Sequence, residues 1–202
     1  SIQYMSNKIG LLFVIAFYFS CVDISNGQTV KNGSNNSASV GISAQLYPAG
    51  LIATLNSDIF LASHSSVFLR AGGNFTNRKD FSKYNDNEKG AGFGGSIGLR
   101  KHYFMKKGQI IAGLNTDLWN MWINWKNDIG TPLQTQGKTY TLVVQPWLET
   151  GYFTGRENAP LKFGITGGFG REINVITKGK VVGHGWIGSV SIYSAILFKS
   201  QS

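Results

Sequence analysis

The sequence is poor in charge, poor in histidine and nearly devoid of cysteine. Only 14% of its 202 residues are charged, against 26 glycines, 13 phenylalanines, 8 tyrosines and 5 tryptophans. Soluble domains carry about 25% charge, so this balance is unusual for a soluble enzyme. It suits short-turned β architecture with closely approaching backbones. The single Cys21 excludes a disulfide within the chain. Three separated histidines, His64, His102 and His184, form no ligand cluster with it, so no metal site is expected. The glycine runs 90–98 and 164–170 lie in extended patterns and precede no helix, so they make no phosphate loop and no cofactor is expected. The net charge of +9 has no basic helix and no basic stripe with interleaved aromatics. Nucleic acid is therefore not expected, and a surface facing anionic lipid or lipopolysaccharide explains the excess as well.

Long apolar runs are also missing, with one short exception. Lys8 precedes Ile9 to Val22, about the length of a secretory apolar region and too short to span a bilayer comfortably. Residues 1–27 are expected to form a signal peptide, with Met5 as a possible true start and cleavage after Gly27. Acylation of Cys21 is disfavoured, because Tyr18 and Phe19 are bulky where such a site needs smaller residues. Residues 28–37, rich in Gly, Asn and Ser, are expected to be a flexible lead-in to a barrel over 38–202.

What remains is alternation. In YTLVVQPWLETGYF (140–153), Leu142, Val144, Pro146, Leu148 and Tyr152 take one face, and Val143, Gln145, Trp147, Glu149 and Gly151 take the other. A period of two means a strand whose faces meet different surroundings. Seven further stretches share this character: Ala38–Tyr47, Leu51–Leu61, Val67–Thr76, Ala91–Phe104, Gln109–Trp125, Pro160–Ile173 and Gly185–Phe198. The alternation blurs between Trp119 and Trp125, which a bulge or a projection beyond a membrane would explain. Together these stretches predict an all-β, eight-stranded antiparallel transmembrane β-barrel with up-and-down meander topology. Long connections are expected at Asn77–Lys89 and Lys126–Lys138 and an intermediate, basic one at Asn174–His184, all on one side. The connection Pro48–Gly50 belongs to that side yet is short, so either the rim is low there or the second strand is misplaced.

Alternation alone also fits a secreted, soluble, lipocalin-like barrel that binds a small apolar ligand. The two differ in which face is inside. The secretory segment and the Gly/Ser-rich polar faces with isolated charges favour the membrane. So do aromatics near strand ends: Tyr47, Phe75, Tyr103, Trp125, Tyr140, Tyr152, Trp186 and Phe198.

The strand Val144–Phe153, the Gly-alternating strand Gly92–Arg100 and the late aromatic Phe198 resemble the small outer-membrane β-barrel proteins of the OmpA/OmpX-like type. The segment ending before Gln28 resembles Bacteroidetes export signals. Here Lys199-Ser-Gln-Ser202 follows Phe198, displacing the terminal aromatic typical of the group. The resemblance implies insertion into a bacterial outer membrane among lipopolysaccharide, as a monomer. It implies no specific task, since the group includes structural barrels, adhesins, binding proteins and a few lipid-modifying enzymes; a non-enzymatic structural, adhesion or recognition role is the leading expectation.

Charges inside a narrow barrel must pair or meet water. Arg70, Arg100 and Lys162 are therefore expected to face Asp117, Glu149 and Glu172 in a network that plugs the lumen, with Glu149 partnered by Arg70 or Arg100. Arg78, Lys79, Phe81, Tyr84, Lys126 and Lys138 are candidates for a recognition surface on external loops, and a possible extracellular ligand would meet them. The alternative is an outer-membrane lipid-modifying enzyme. His64-Ser65-Ser66 is similar to the His-x-Ser of barrel lipid A deacylases, but its flanks differ and it falls in a periplasmic turn. No catalytic residues are assigned.

Overall fold

The computed structural model describes residues 37–62, 64–79, 85–155 and 159–199. The expected signal peptide, most of the lead-in, and Phe81 and Tyr84 lie outside these residues. The described chain is built from eight strands: β1 (Ser37–Tyr47), β2 (Gly50–Ala62), β3 (Ser65–Lys79), β4 (Asn87–Phe104), β5 (Gly108–Asn127), β6 (Thr135–Thr154), β7 (Leu161–Lys178) and β8 (Gly185–Lys199). Each pairs antiparallel with the next, and β1 pairs with β8 to close the barrel. Closure leaves no unpaired sheet edge, which is what a sheet surrounded by lipid requires.

Every strand shows the faces its period-two pattern predicts. Val40, Ile42, Leu55, Ile97, Leu118, Leu148, Ile165 and Ile192 are exposed on the outer wall. Gln45, Asn56, Arg70, Arg100, Asp117 and Glu149 are buried inside. An apolar exterior around a polar interior is the arrangement of a barrel solvated by lipid, not of a lipocalin. Outward aromatics gather in two zones. Tyr103 and Tyr152 are outward near the end where β1 begins and β8 ends, while Phe75, Trp122 and Tyr140 share a register row towards the other. Twelve residues of β4 separate Tyr103 from Ala91, the β4 member of that row. That is about 40 Å of strand and, at a ~40° tilt, about 30 Å of height, close to a bilayer's apolar band with its girdles. Tyr47 and Trp125, expected in the girdles, instead face the lumen, Tyr47 because its hydroxyl donates to Asn74 at 2.7 Å.

Three expectations about connections need correction. The segments 77–89, 126–138 and 174–184 are partly strand, so the connections are shorter than expected: β3 continues to Lys79, β4 begins at Asn87, β5 reaches Asn127, β6 begins at Thr135 and β7 reaches Lys178. No register shift interrupts β4–β5 or β5–β6, so the crowded tryptophans of β5 mark a projection of the wall and not a bulge. Shifts occur instead at Phe60/Ala62 and Leu142/Val143. At the other side of the rim, β1 and β2 turn over at Pro48 and Ala49. The second strand stands where expected, and the rim there is low. Strand length rises from 11 residues in β1 to 20 in β5 and β6.

Glycine makes the packed lumen possible. A Cβ on Gly168 would collide with the ring of Trp147, and one on Gly164 with the ring of Phe153. A large inward side chain thus lies over a position with none, which lets a barrel this narrow hold large side chains in its lumen.

Candidate functional site

Three tiers of ion pairs occupy the lumen. Nearest the termini, the Arg100 guanidinium donates to Glu149 through Nε (3.0 Å) and Nη2 (2.7 Å) and to Asp58 through Nη1 (3.0 Å). It lies 3.4 Å from the centroid of the Phe68 ring. Glu149 also accepts from Asn115 Nδ2 (3.0 Å) and the Tyr193 hydroxyl (3.0 Å). In the middle tier, Asp117 accepts from Arg70 Nη2 (2.5 Å), Trp147 Nε1 (3.1 Å), Trp119 Nε1 (3.3 Å) and the Ser96 hydroxyl. Arg70 also reaches Gln45 Oε1 and stacks 4.8 Å from the centroid of the Trp147 ring. All of these charges are buried except Asp58, which is partly open. Buried charge of this kind is tolerable only when paired and hydrogen-bonded.

The third tier closes the external mouth. Arg78 donates to both oxygens of Glu172 (2.8 and 2.6 Å) and to Glu88 (3.2 Å). The same guanidinium donates to the carbonyl of Gly183, and the Gly183 amide donates back to Glu88 at 3.0 Å. Residues 179–184, between β7 and β8, therefore fold into the mouth. Asn85 donates to the Val181 carbonyl, Asn174 to that of Val182 and Thr139 to that of Lys180. Val182 is fully buried among Tyr47, Ala49, Ile52, Trp119, Met121, Ile123 and Val143. An apolar layer thus separates this tier from the middle one. Near the termini, the lumen retains a cavity of about 20 Å³ lined by Asp58, Arg100, His102 and Lys162, room for about one water molecule.

Neither a protein-family profile nor any curated protein sequence matches this chain. Solved structures do. Neisserial surface protein A aligns over 82% of this chain and 99% of its own, at 9% identity and a TM-score of 0.51. The fold is that of the small outer-membrane β-barrels. The N-terminal barrel domain of Pseudomonas aeruginosa OprF is also similar, at 13% identity, covering 80% of this chain and 98% of that one with a TM-score of 0.41. So is Ail of Yersinia pestis, at 11% identity, 82% and 100% coverage and a TM-score of 0.42. The resemblance read from the strands to OmpA/OmpX-like outer-membrane barrels agrees with these matches.

Within this barrel, the structure brings Arg70 to Asp117 and Arg100 to Glu149. Lys162 donates to Gln109 at 3.1 Å, with its ammonium 5.5 Å from the centroid of the Phe104 ring. Glu172 meets Arg78, which the sequence placed in an external loop. Because β3 continues past Thr76 with its alternation intact, Arg78 points inward and is buried. Lys79, Lys126 and Lys138 are exposed, but on strand ends and not on loops. Asp58, Glu88 and Val182 were missed. Val181–Val182, an apolar pair between Gly179 and Gly183, is the signal that would have marked the inserted segment.

The enzyme alternative also meets a geometric test. Ser66 faces inward, donates to Asp58 Oδ1 at 2.8 Å and lies 2.8 Å from His102 Nε2. A serine, a histidine and an aspartate are in contact, but in the wrong order. A nucleophilic serine needs a basic imidazole nitrogen facing it and the acid behind the imidazole. Here the serine proton goes to the aspartate, so His102 Nε2 is the donor to Ser66. His102 Nδ1 is buried with no hydrogen-bond partner. Among the described residues, no group of three His, Cys, Asp or Glu is placed to hold a metal ion.

Proposed function

We propose that this chain is a non-enzymatic barrel of a bacterial outer membrane, with a sealed lumen and a surface role carried by its projecting β3–β6 wall. One observation carries the reading: the exterior is apolar over a bilayer's height, while the interior is charged, paired and filled. Exposing that exterior to water would be costly, and lipid removes the cost. The inserted segment 179–184, the apolar layer beneath it and the two inner tiers of ion pairs oppose ion passage, so the lumen acts as a plug and not as a pore. The membrane surroundings supply the lipopolysaccharide partner, and export by residues 1–27 belongs to the same proposal. The Ser66–His102 arrangement lacks a base, which favours the non-enzymatic reading over lipid modification.

The test is to express the full chain, separate outer-membrane from soluble fractions, and follow heat-dependent gel mobility of the same sample. Purified protein is then placed in planar bilayers. The expected outcome is a detergent-requiring, heat-modifiable outer-membrane protein with no stable conductance steps. Soluble protein would overturn the membrane reading, and reproducible conductance would overturn the sealed lumen.

A further inference from the structure

The projecting wall has an outer face of unusual composition. Where β3 to β6 rise above the aromatic row, two successive register rows point outward. The first is Asn77, Lys89, Asn124 and Lys138, and the second is Lys79, Asn87, Lys126 and Gln136. Lysine and amide alternate along each row, and neither row contains a carboxylate. Glu88, between Asn87 and Lys89 in the chain, points inward to Arg78, and Asp86 and Asp128 lie in the connections beyond, where the Asp86 carboxylate accepts the Ile129 amide at 3.2 Å. The six side chains of Asn87, Lys89, Asn124, Lys126, Gln136 and Lys138 line a cleft of about 420 Å³ with Trp125 and Gly137.

The pattern has a physical logic. Neighbouring strands lie about 4.8 Å apart, so Lys89 and Lys138, on either side of Asn124, start about 10 Å apart. Lys126 rises between them on the same strand as Asn124. Like charges directly opposite one another destabilise a sheet, and the intervening amides avoid that. The lysines are nonetheless gathered on one concave face without a protein counter-charge in either row. An anion with several acceptor oxygens would satisfy amines and amides together.

The level of the cleft identifies its occupant. Lys89, Asn124 and Lys138 stand two residues above Ala91, Trp122 and Tyr140, the row of the outward aromatic girdle. Trp122 packs against Phe93 and Tyr140, with ring centroids 5.6 and 5.5 Å apart. Girdle aromatics sit at the membrane–water interface. The ammonium groups therefore emerge two to four residues above it, on the outward side of the wall that overlooks the lipid surface and not on the crown at its top. Phosphate groups of the lipids lie at this height. We infer that this outer face, through Lys89, Lys126 and Lys138 with Asn87, Asn124 and Gln136, is a docking site for the phosphate groups of a membrane glycolipid of the outer leaflet. The inference rests on the membrane-barrel reading.

The full chain is refolded into nanodiscs of zwitterionic lipid doped with diphosphorylated lipid A or with its dephosphorylated counterpart. Lipid retained per protein after mild detergent extraction gives the relative affinity. Parent protein is compared with K89Q/K126Q/K138Q and with K101Q/K106Q/K107Q, which alters lysines at the opposite end of β4. The expected result is preferential retention of the phosphorylated lipid, reduced on the order of a hundredfold by the first variant and unchanged by the second. Retention should also fall at high salt. Equal retention of the two lipids, or a first variant that behaves as parent, would overturn the proposal. Displacement of the lipid by millimolar inorganic pyrophosphate would replace the lipid assignment with a free-anion site. Heat-modifiable mobility is recorded for every sample. A parent that fails to insert defeats the membrane reading, whereas an inserted barrel without phosphate preference defeats only the docking site.

Discussion

Replacing Glu149 by alanine tests the lumen most directly. Glu149 accepts from Arg100 Nε and Nη2, from Asn115 and from Tyr193, and its side chain is fully buried. Truncation strands three donor groups and leaves Asp58, on the partly open side, as the carboxylate still paired with Arg100. Breaking a buried ion pair by removing one partner costs about 3–5 kcal/mol. Glu149→Gln keeps the shape and an acceptor but loses the charge, and should cost about 2 kcal/mol, the difference between charged and neutral hydrogen bonds summed over the donors. The double variant R100M/E149L removes both charges, and most of the loss should return, because apolar replacement of a buried pair is often neutral. The assay is reversible urea unfolding of protein folded into lipid vesicles, followed by tryptophan fluorescence and gel mobility. A Glu149→Ala variant within about 0.5 kcal/mol of the parent would refute the reasoning. So would strict additivity of Arg100→Ala and Glu149→Ala, since the two side chains would then not be coupled.

Ile97 stands on the outer wall of β4, midway between Ala91 and Tyr103. Ile97→Arg should destabilise the bilayer-folded protein by about 2–4 kcal/mol in the same urea assay, and no effect would show that this face meets water. Gly168→Val should abolish the heat-modifiable band by colliding with Trp147, and a second change, Trp147→Ala, should restore part of it. Val182→Asp places a carboxylate in the apolar layer of Tyr47, Ile52, Trp119 and Met121, at a cost of about 2 kcal/mol or more. Tryptic cleavage after Lys178 and Lys180 should then accelerate while the barrel stays folded, and an unchanged cleavage rate would show that the segment is held elsewhere.

The facing of the strands was legible in the sequence because lipid and lumen impose opposite demands on alternate residues. Leu148 and Glu149 stand side by side in the chain and could not both be satisfied on one side of a wall. The same logic explains what was illegible. Above the aromatic row both faces of the sheet are polar, since water replaces lipid outside. Asn77, Arg78 and Lys79, or Lys126 and Asn127, therefore carry no contrast and read as loop. Arg78 was misplaced for that reason, and its partner Glu88 went unseen in the same stretch. Pairing was only partly readable. Alternation puts Arg70, Arg100 and Glu149 inside, but which of them meet depends on the stagger between strands, and no local pattern reports it. Residues 179–184 enter the mouth through contacts with β3, β4 and β6, which are distant in sequence.

The uneven rim gives this barrel a front and a back. β6 is nine residues longer than β1, about 30 Å of strand, and the excess rises on one side of the mouth. A large molecule arriving from solvent meets a screen over half the circumference and bare membrane over the other half. Neighbours in the plane of the bilayer meet the same asymmetry, tall towards β5 and β6 and nearly flush at the β1–β2 turn. Rotation of the barrel about its axis is therefore not silent. Two copies, or a copy and a partner, would meet wall against wall above the membrane only with their tall sides together, so the height of the strands makes each azimuth of approach a different surface.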